Sequence, residues 1–420
     1  MDGRVLALLI LAAVGSLPTA AAERSPKLVR IATFNCSLNR SVEGGLQKAL
    51  STPDDAQVRA VAEIIQRVRP DILLLQEFDF DAAGESLRAF QANYLARPQN
   101  GAAAIAFGHS FAAESNTGVP SGFDLDNNGS VTGGEDALGF GEFPGQYAMA
   151  LLSRFPIERA RARTFRKFLW RKMPRALLPD NPETTVPNDW YSAAELAVLP
   201  LSSKSHWDVP VRVGKVSLHL LASHPTPPSF DGPEDRNGKR NHDEIRFWND
   251  YLSATKSEYV RDDAGRRGGF QGKAFVLMGD QNSDPVDGGS INAAIRALLN
   301  NPRVDSRFAP QSTGAIEASA AQGGANLAQR GDPRFDTADF HDRVAGNLRV
   351  DYLLPSKDLR VCAGGVFWPA QADKTAPLVW GDRPAPSSDH RLVWLDITVD
   401  GARCPPGSGP TASDASRPHH

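Results

Sequence analysis

Apolar runs recur along the chain, and most of them end on a polar residue. Residues 28–36 (LVRIATFNC) read as a strand. Thr52-Pro53-Asp54-Asp55 reads as a helix start, with Thr52 as the cap and proline in the first turn. Val58, Val61, Ala62, Ile65 and Val68 keep one face of that helix apolar. Arg67 and Arg69 suit its negative end, and Pro70 stops it. Residues 72–75, 147–152, 211–223, 275–278, 349–354, 359–367 and 391–399 follow as strands, and 243–252 and 290–299 as helices. Strands alternate with helices early and cluster late. This predicts an α/β fold of two packed sheets with helices outside. No internal repeat is present.

Composition adds limits. The 420 residues are 41% hydrophobic and 23% charged, an ordinary globular balance. The net charge of −3 provides no global positive field, which argues against a tight nucleic-acid binder but not against an enzyme that touches phosphates briefly. Residues 1–22 read as a secretory signal peptide: Arg4, an apolar core from 5 to 14, then Ala20-Ala21-Ala22. That core is too short to span a bilayer. The expected product is exported, periplasmic or extracellular. One domain is expected over 23–400, with insertions at 108–145 and at 312–331, the latter a flexible Ala, Gly and Gln-rich loop. Residues 401–420 read as a disordered tail. Of three cysteines, Cys36 is expected as a buried free thiol. Cys362 and Cys404 either pair, in an oxidising compartment, or remain two thiols.

The strand ends carry the candidate chemistry. They read Phe34-Asn35, Gln76-Glu77, Ser223-His224, Gly279-Asp280-Gln281-Asn282, Val350-Asp351-Tyr352 and Ser388-Asp389-His390. Any one has a bland explanation as a turn former or solvated end. Together they are costly to bury unless they satisfy one another or a ligand. Acids and amides suit a hard cation such as Mg²⁺ or Ca²⁺, and histidines supply acid and base groups near neutral pH. That set is what phosphoryl chemistry needs.

In this order the motifs TFN, LLLQE, YAMALLSRFP, ASHP, MGDQN, RVDYLLPS and SSDHRLVWLDI resemble the endonuclease/exonuclease/phosphatase superfamily. Its fold is shared by pancreatic-type deoxyribonuclease, abasic-site endonucleases, neutral sphingomyelinases and inositol polyphosphate 5-phosphatases. The resemblance spans residues 28–399 and implies a four-layer α/β sandwich with two mixed sheets. It implies that Glu77 is the principal ligand of a catalytic Mg²⁺ or Mn²⁺, helped by Asn35 and Asp389. Asp280 would orient or deprotonate the attacking water, and Asn282 would donate to the scissile phosphate. His390 would contact a phosphate oxygen while Asp351 holds its imidazole, as a carboxylate fixes a histidine tautomer. His224 resembles the leaving-group acid of the deoxyribonuclease and sphingomyelinase branches. Gln281 departs from the usual aromatic residue, and strand alternation would turn it away from the site.

The implied activity is a divalent-metal-dependent phosphoesterase, most simply a phosphodiesterase or nuclease using in-line water attack. The alternatives are a phosphomonoesterase, a sphingomyelinase-like lipid phosphodiesterase, or a non-catalytic binding module. A monomer acting on a phosphate ester is expected, with nucleic acid and peripheral lipid contact both open.

Other stretches carry their own signals. In DLDNNGSVTGGE, Asp124, Asp126, Asn128, Ser130 and Glu135 occupy ligand positions of a twelve-residue loop for structural Ca²⁺, with Gly129 at the turn. Residues 159–175 hold eight basic residues around Phe165, Phe168 and Trp170. They read either as a polyanion surface or as a solvated edge whose aromatics pack inward. Asp231, Asp235, Arg236, Arg240 and His242 follow His224 closely, and such loops commonly carry specificity. The alternative there is a Pro-rich connector leading to a helix cap at Asn241. The polar cluster in LSSKSHWDVPV has no physical account from sequence.

Overall fold

The computed structural model describes residues 28–381 and 385–404. The signal-peptide reading of 1–22 lies outside them, as does the tail reading from 405 onward.

The chain runs β1 (Val29–Asn35), α1 (Gly45–Leu50), α2 (Ala56–Val68), β2 (Ile72–Gln76), α3 (Glu85–Phe90), β3 (His109–Phe111) and β4 (Met149–Ser153). It continues through β5 (Arg163–Thr164), α4 (Glu195–Val198), β6 (His206–Val213), β7 (Val216–Ser223), α5 (Arg236–Tyr251), β8 (Phe275–Asp280) and α6 (Ala293–Leu299). The last elements are α7 (Thr313–Gln322), β9 (Ala338–Asp339), β10 (Asn347–Leu348), β11 (Asp351–Pro355), β12 (Arg360–Val366) and β13 (Val393–Thr398). Six strands form one mixed sheet in the order β12-β13-β1-β2-β4-β3, and five form a second, β11-β8-β7-β6-β5.

Period-two alternation explains how the sheets stack. Val276 and Met278 of β8, Leu218 and Leu220 of β7 and Leu353 of β11 enter the core shared with β1, β2 and β13. Phe275, Leu277, Leu221, Tyr352 and Leu354 point the other way, into a core with Ile245 and Trp248 of α5 and Ile295 and Leu298 of α6. Both faces are apolar, so these strands read as continuous hydrophobic runs. On the far side, Val58, Ile65 and their neighbours on α2 cover the first sheet.

Four expectations need correction. The cap of α2 is Asp55, whose Oδ1 accepts from Val58 N at 2.9 Å, not Thr52. Residues 211–223 are not one strand but the end of a hairpin that begins at His206 and turns at Gly214, where φ is 58°. Polar residues obscured its first strand: Asp208 is buried against His219 Nδ1 at 2.6 Å and the Tyr251 hydroxyl at 2.6 Å. The helix expected from 243 begins at Arg236, which places Asn241 inside it rather than at its cap. Finally, 312–331 is no loop: Ser312 caps the Ala-rich α7, accepting from Ala315 N at 3.3 Å. Alanine is the best helix former, and buried Ala315 and Ala318 let α7 pack closely.

The basic stretch follows its bland reading. Phe165, Phe168 and Trp170 are buried, and Arg163 pairs with Asp262 at 2.8 Å. Cys362 and Cys404 form a disulfide, and Cys36 is a buried free thiol. Among the described residues no helix is long and apolar enough to cross a membrane.

One buried acid yields a stability prediction. Asp336 is 7% exposed and its Oδ2 has no hydrogen-bond partner. Burial first, then Asp284, Asp287 and Asp332, push its pKa up to about 8. A carboxyl raised in the folded state stabilises below its unfolded value, and that contribution is lost as pH rises through about 8. Asp336→Asn, which stays neutral, should therefore raise Tm more at pH about 9 than at pH about 5. Equal shifts in thermal melts at the two pH values would refute it.

Candidate active site

The alternation that stacks the sheets also sets the site. Val276, Met278 and Asp280 share a face of β8, so Asp280 emerges between the sheets at the strand end. Asp351 is its register partner across the β11–β8 ladder, on the same face as Leu353. Asn35 ends β1 on the facing sheet and donates from Nδ2 to Asp280 Oδ2 at 3.1 Å and to Glu77 Oε1 at 3.0 Å. Gly279 makes the approach possible: its φ is 132°, and a Cβ there would sit 2.0 Å from the Ser223 carbonyl oxygen.

Two imidazoles face the same carboxylate oxygen. His224 Nε2 lies 3.4 Å and His390 Nε2 3.6 Å from Asp280 Oδ2. His390 Nδ1 is 2.9 Å from Asp351 Oδ2, and the Thr337 hydroxyl donates to that oxygen at 2.8 Å. Asp389 sits one residue before His390, and its Oδ1 accepts from Ser37 Oγ at 3.2 Å. Asn282 is brought in by a turn rather than by alternation. Its φ is 49°, its N–H donates to Asp280 Oδ1 at 2.7 Å, and its Nδ2 donates to the Pro225 carbonyl at 3.1 Å. Glu77 also has a left-handed backbone, φ 55°. Such conformations in non-glycine residues concentrate at functional sites.

Electrostatics separates the two histidines. Burial opposes charge on His390, but Asp351, Asp280 and Asp389 together outweigh it and raise its pKa well above the usual range. Burial, then Lys204 and His390, hold His224 well below it. Burial pushes Asp280 up to about 7 against the pull of His390. Glu77 is raised by burial and by Asp389.

The residues fit a divalent cation. Asp389 repels Glu77, Asn35 bridges Glu77 to Asp280, and buried Asp351 Oδ1 and His224 Nδ1 have no hydrogen-bond partner. Asn35, Glu77 and Asp389 form one candidate ligand set. Ligand atoms of Asp280, Asp351 and His390 also lie within 4.8 Å of one another.

Several contributors were missed from sequence. Lys204, in the unexplained SSKSH cluster, is buried and lines a cavity of about 390 Å³ with Glu77, His224, Tyr147 and Arg236. Burial lowers its pKa, while Glu244, Glu77 and Asp280 act to raise it. Glu244 of α5 accepts from Ser203 N at 2.8 Å and Thr226 N at 2.6 Å, pinning the segments that carry Lys204 and His224. Asn241 donates to the carbonyls of Thr226 at 2.8 Å and Gln281 at 2.9 Å. Of the loop residues flagged after His224, Arg236 and Arg240 line the cavity; His242 faces a separate groove. For Asn241 and Glu244 the signal was a run of polar side chains on what proved to be a buried helix face; for Lys204 it was the polar SSKSH cluster leading into β6.

Of the calcium-loop residues, Glu135 lines this cavity, while Asp124, Asp126, Asn128 and Ser130 sit in the insertion between β3 and β4. Asp124 Oδ1 and Asp126 Oδ1 accept from Asn128 N at 3.1 and 3.2 Å, and Ser130 Oγ meets Thr132 Oγ1 at 2.8 Å. The twelfth-position acid does not join them. Glu135 pairs with Arg236 Nη2 at 3.2 Å, and Asp136 takes its place beside Asp124 and Asp126. A short 3-10 turn, Gly134–Asp136, stands where a calcium loop has a helix, and it brings the next residue inward.

Two mixed sheets stacked between helices, with polar strand ends from both sheets converging, define a four-layer α/β sandwich with a carboxylate–histidine centre. The chain belongs to the endonuclease/exonuclease/phosphatase family: the profile described as "Endonuclease/Exonuclease/phosphatase family" matches residues 32–390. Members of this family are typically hydrolases of phosphoester bonds and use divalent metals. Similar solved structures include an endonuclease/exonuclease/phosphatase from Beutenbergia cavernae, at 17% identity and TM-score 0.45, covering 89% of this chain and 72% of that one. Sphingomyelinase C from Streptomyces griseocarneus is similar at 15% identity and TM-score 0.41, covering 88% and 99%. Truncated TDP2 from Caenorhabditis elegans is similar at 14% identity and TM-score 0.38, covering 88% and 97%. No curated protein matches the chain.

Proposed function

We propose that this chain is an exported, divalent-metal-dependent phosphodiesterase. The observation that carries the reading is one buried carboxylate oxygen, Asp280 Oδ2, faced by both His224 and His390. Asn35, Glu77 and Asp389 would hold Mg²⁺ or Mn²⁺, which when bound neutralises charge on the phosphate oxygens. Asp280, with a pKa about 7, orients the attacking water and takes its proton. The water oxygen bonds to phosphorus as the bond to the leaving oxygen breaks. His390, kept cationic by Asp351, and the Asn282 amide stabilise the developing charge. His224 is neutral in the free site. The negative charge of a bound phosphodiester favours its protonation, and it passes that proton to the leaving oxygen. The products are a phosphomonoester and an alcohol.

A lipid phosphodiester is a second reading. Phe230 is 82% and Phe140 49% exposed, and both line the cavity, where they could meet an acyl chain. The test is hydrolysis of bis(p-nitrophenyl) phosphate with Mg²⁺ and with EDTA, in wild type and Glu77→Gln. Turnover that EDTA abolishes and Glu77→Gln weakens is expected. Turnover in EDTA, or none with any divalent metal, would end the phosphodiesterase reading. Sphingomyelin and plasmid DNA then separate the substrate classes.

A further inference from the structure

The insertion between β3 and β4 carries a second cluster of acids. Ligand atoms of Asp124, Asp126 and Asp136 lie within 4.8 Å of one another. Asp136 is 4% exposed; its Oδ1 accepts from Leu125 N at 2.8 Å, while its Oδ2 has no hydrogen-bond partner. Among the described residues, no ion pair from a lysine or arginine reaches any of the three. A buried carboxylate oxygen without a donor, beside two further carboxylates, is costly unless a cation joins them.

Local structure presents these acids as a cup. The chain turns through Asn127 at φ 59° and Gly129 at φ 85°. The Gly129 N–H holds Asp124 Oδ2 at 2.8 Å, and Asn128 Nδ2 holds Asp126 Oδ2 at 2.9 Å. D-x-D-x-N-G also matches the first six positions of a calcium loop.

We propose that Asp124, Asp126 and Asp136 bind Ca²⁺ at a site separate from the catalytic centre. The chemistry is all-oxygen and carboxylate-rich, set in an irregular loop. That suits Ca²⁺, which tolerates variable geometry, better than Mg²⁺, which demands a strict octahedron. Its placement connects it to the substrate cavity. Leu125, Glu135 and Ala137, each next to a ligand residue, line that cavity, and Glu135 pairs there with Arg236. The ion therefore clamps one wall of the pocket, and Glu135 is a wall residue rather than a ligand. This proposal does not depend on the hydrolytic reading.

Trp190 gives a direct probe. Its Nε1 donates to the Leu125 carbonyl at 3.2 Å, close enough to sensitise Tb³⁺ bound in the loop. The experiment uses the Glu77→Gln chain, so that the catalytic centre contributes little, and reads Tb³⁺ emission on tryptophan excitation with Ca²⁺ as competitor. Sensitised emission displaced by Ca²⁺ is expected. Asp136→Asn and Asp126→Asn should each weaken binding at least about tenfold. Glu135→Gln should leave it unchanged. Asp126 is half-buried in the loop and bonds only to Asn128, so its variant tests the site even if Asp136→Asn does not fold. No Ca²⁺-displaceable emission, unchanged binding in Asp126→Asn, or loss in Glu135→Gln would overturn the proposal.

Discussion

Asp280→Asn should lower phosphodiester hydrolysis by about a thousandfold while the protein stays folded. The carboxylate is the point where the site converges. It receives the Asn35 amide on one oxygen and the Asn282 N–H on the other, and both imidazoles approach the first. An amide of the same shape can still accept from Asn282 N–H but cannot take a proton from water. It also removes the negative charge that helps keep His390 cationic. The loss should therefore fall on kcat more than on KM. Circular dichroism and a thermal melt separate chemistry from misfolding. A folded variant with a rate close to wild type would mean that water is activated elsewhere.

Glu244→Ala should cost about 3–5 kcal/mol of stability, the size expected when three buried donors lose one charged acceptor. Glu244 is fully buried on α5, far in sequence from the residues it holds. One oxygen takes the Ser203 N–H and hydroxyl, the other the Thr226 N–H. Its charge also supports that of Lys204. Truncation leaves buried donors without acceptors and frees both segments that carry Lys204 and His224. Urea unfolding measures the loss, and Glu244→Gln should recover part of it by still accepting from one segment. A loss below about 1 kcal/mol would show that these bonds contribute little.

Much of this architecture was legible because its strands are apolar on both faces and end on the residues that matter. Asp280 was marked by counting in twos along β8, whereas Asp351 came from the ordered motifs, and the β11–β8 register pairs the two. Asn282 was selected by the same count, although a left-handed turn brings it into place. The α5 helix was half missed because its buried face is polar: Arg240, Asn241, Asp243 and Glu244 are all buried, so apolar periodicity had nothing to find. Lys204 was invisible for the complementary reason, since one lysine among serines resembles a solvated loop. In the insertion, counting positions chose Glu135, but a 3-10 turn advances differently from a helix and presents Asp136 instead.

The pairing of β1 with β13 bears on how the molecule comes to be made. Arg30 and Asp396, 366 residues apart, meet in a bidentate pair at 2.7 Å. Asn35 comes from the first strand, and His390 lies just before the last. Strand β1 sits between β13 and β2, so a growing chain cannot complete the sheet until its final strand has been synthesised. Closing so long a loop is slow, and a truncated chain holds the apolar strands without the partner that seals them. The first and last strands thus have to meet before the strand ends that carry Asn35 and His390 can face one another.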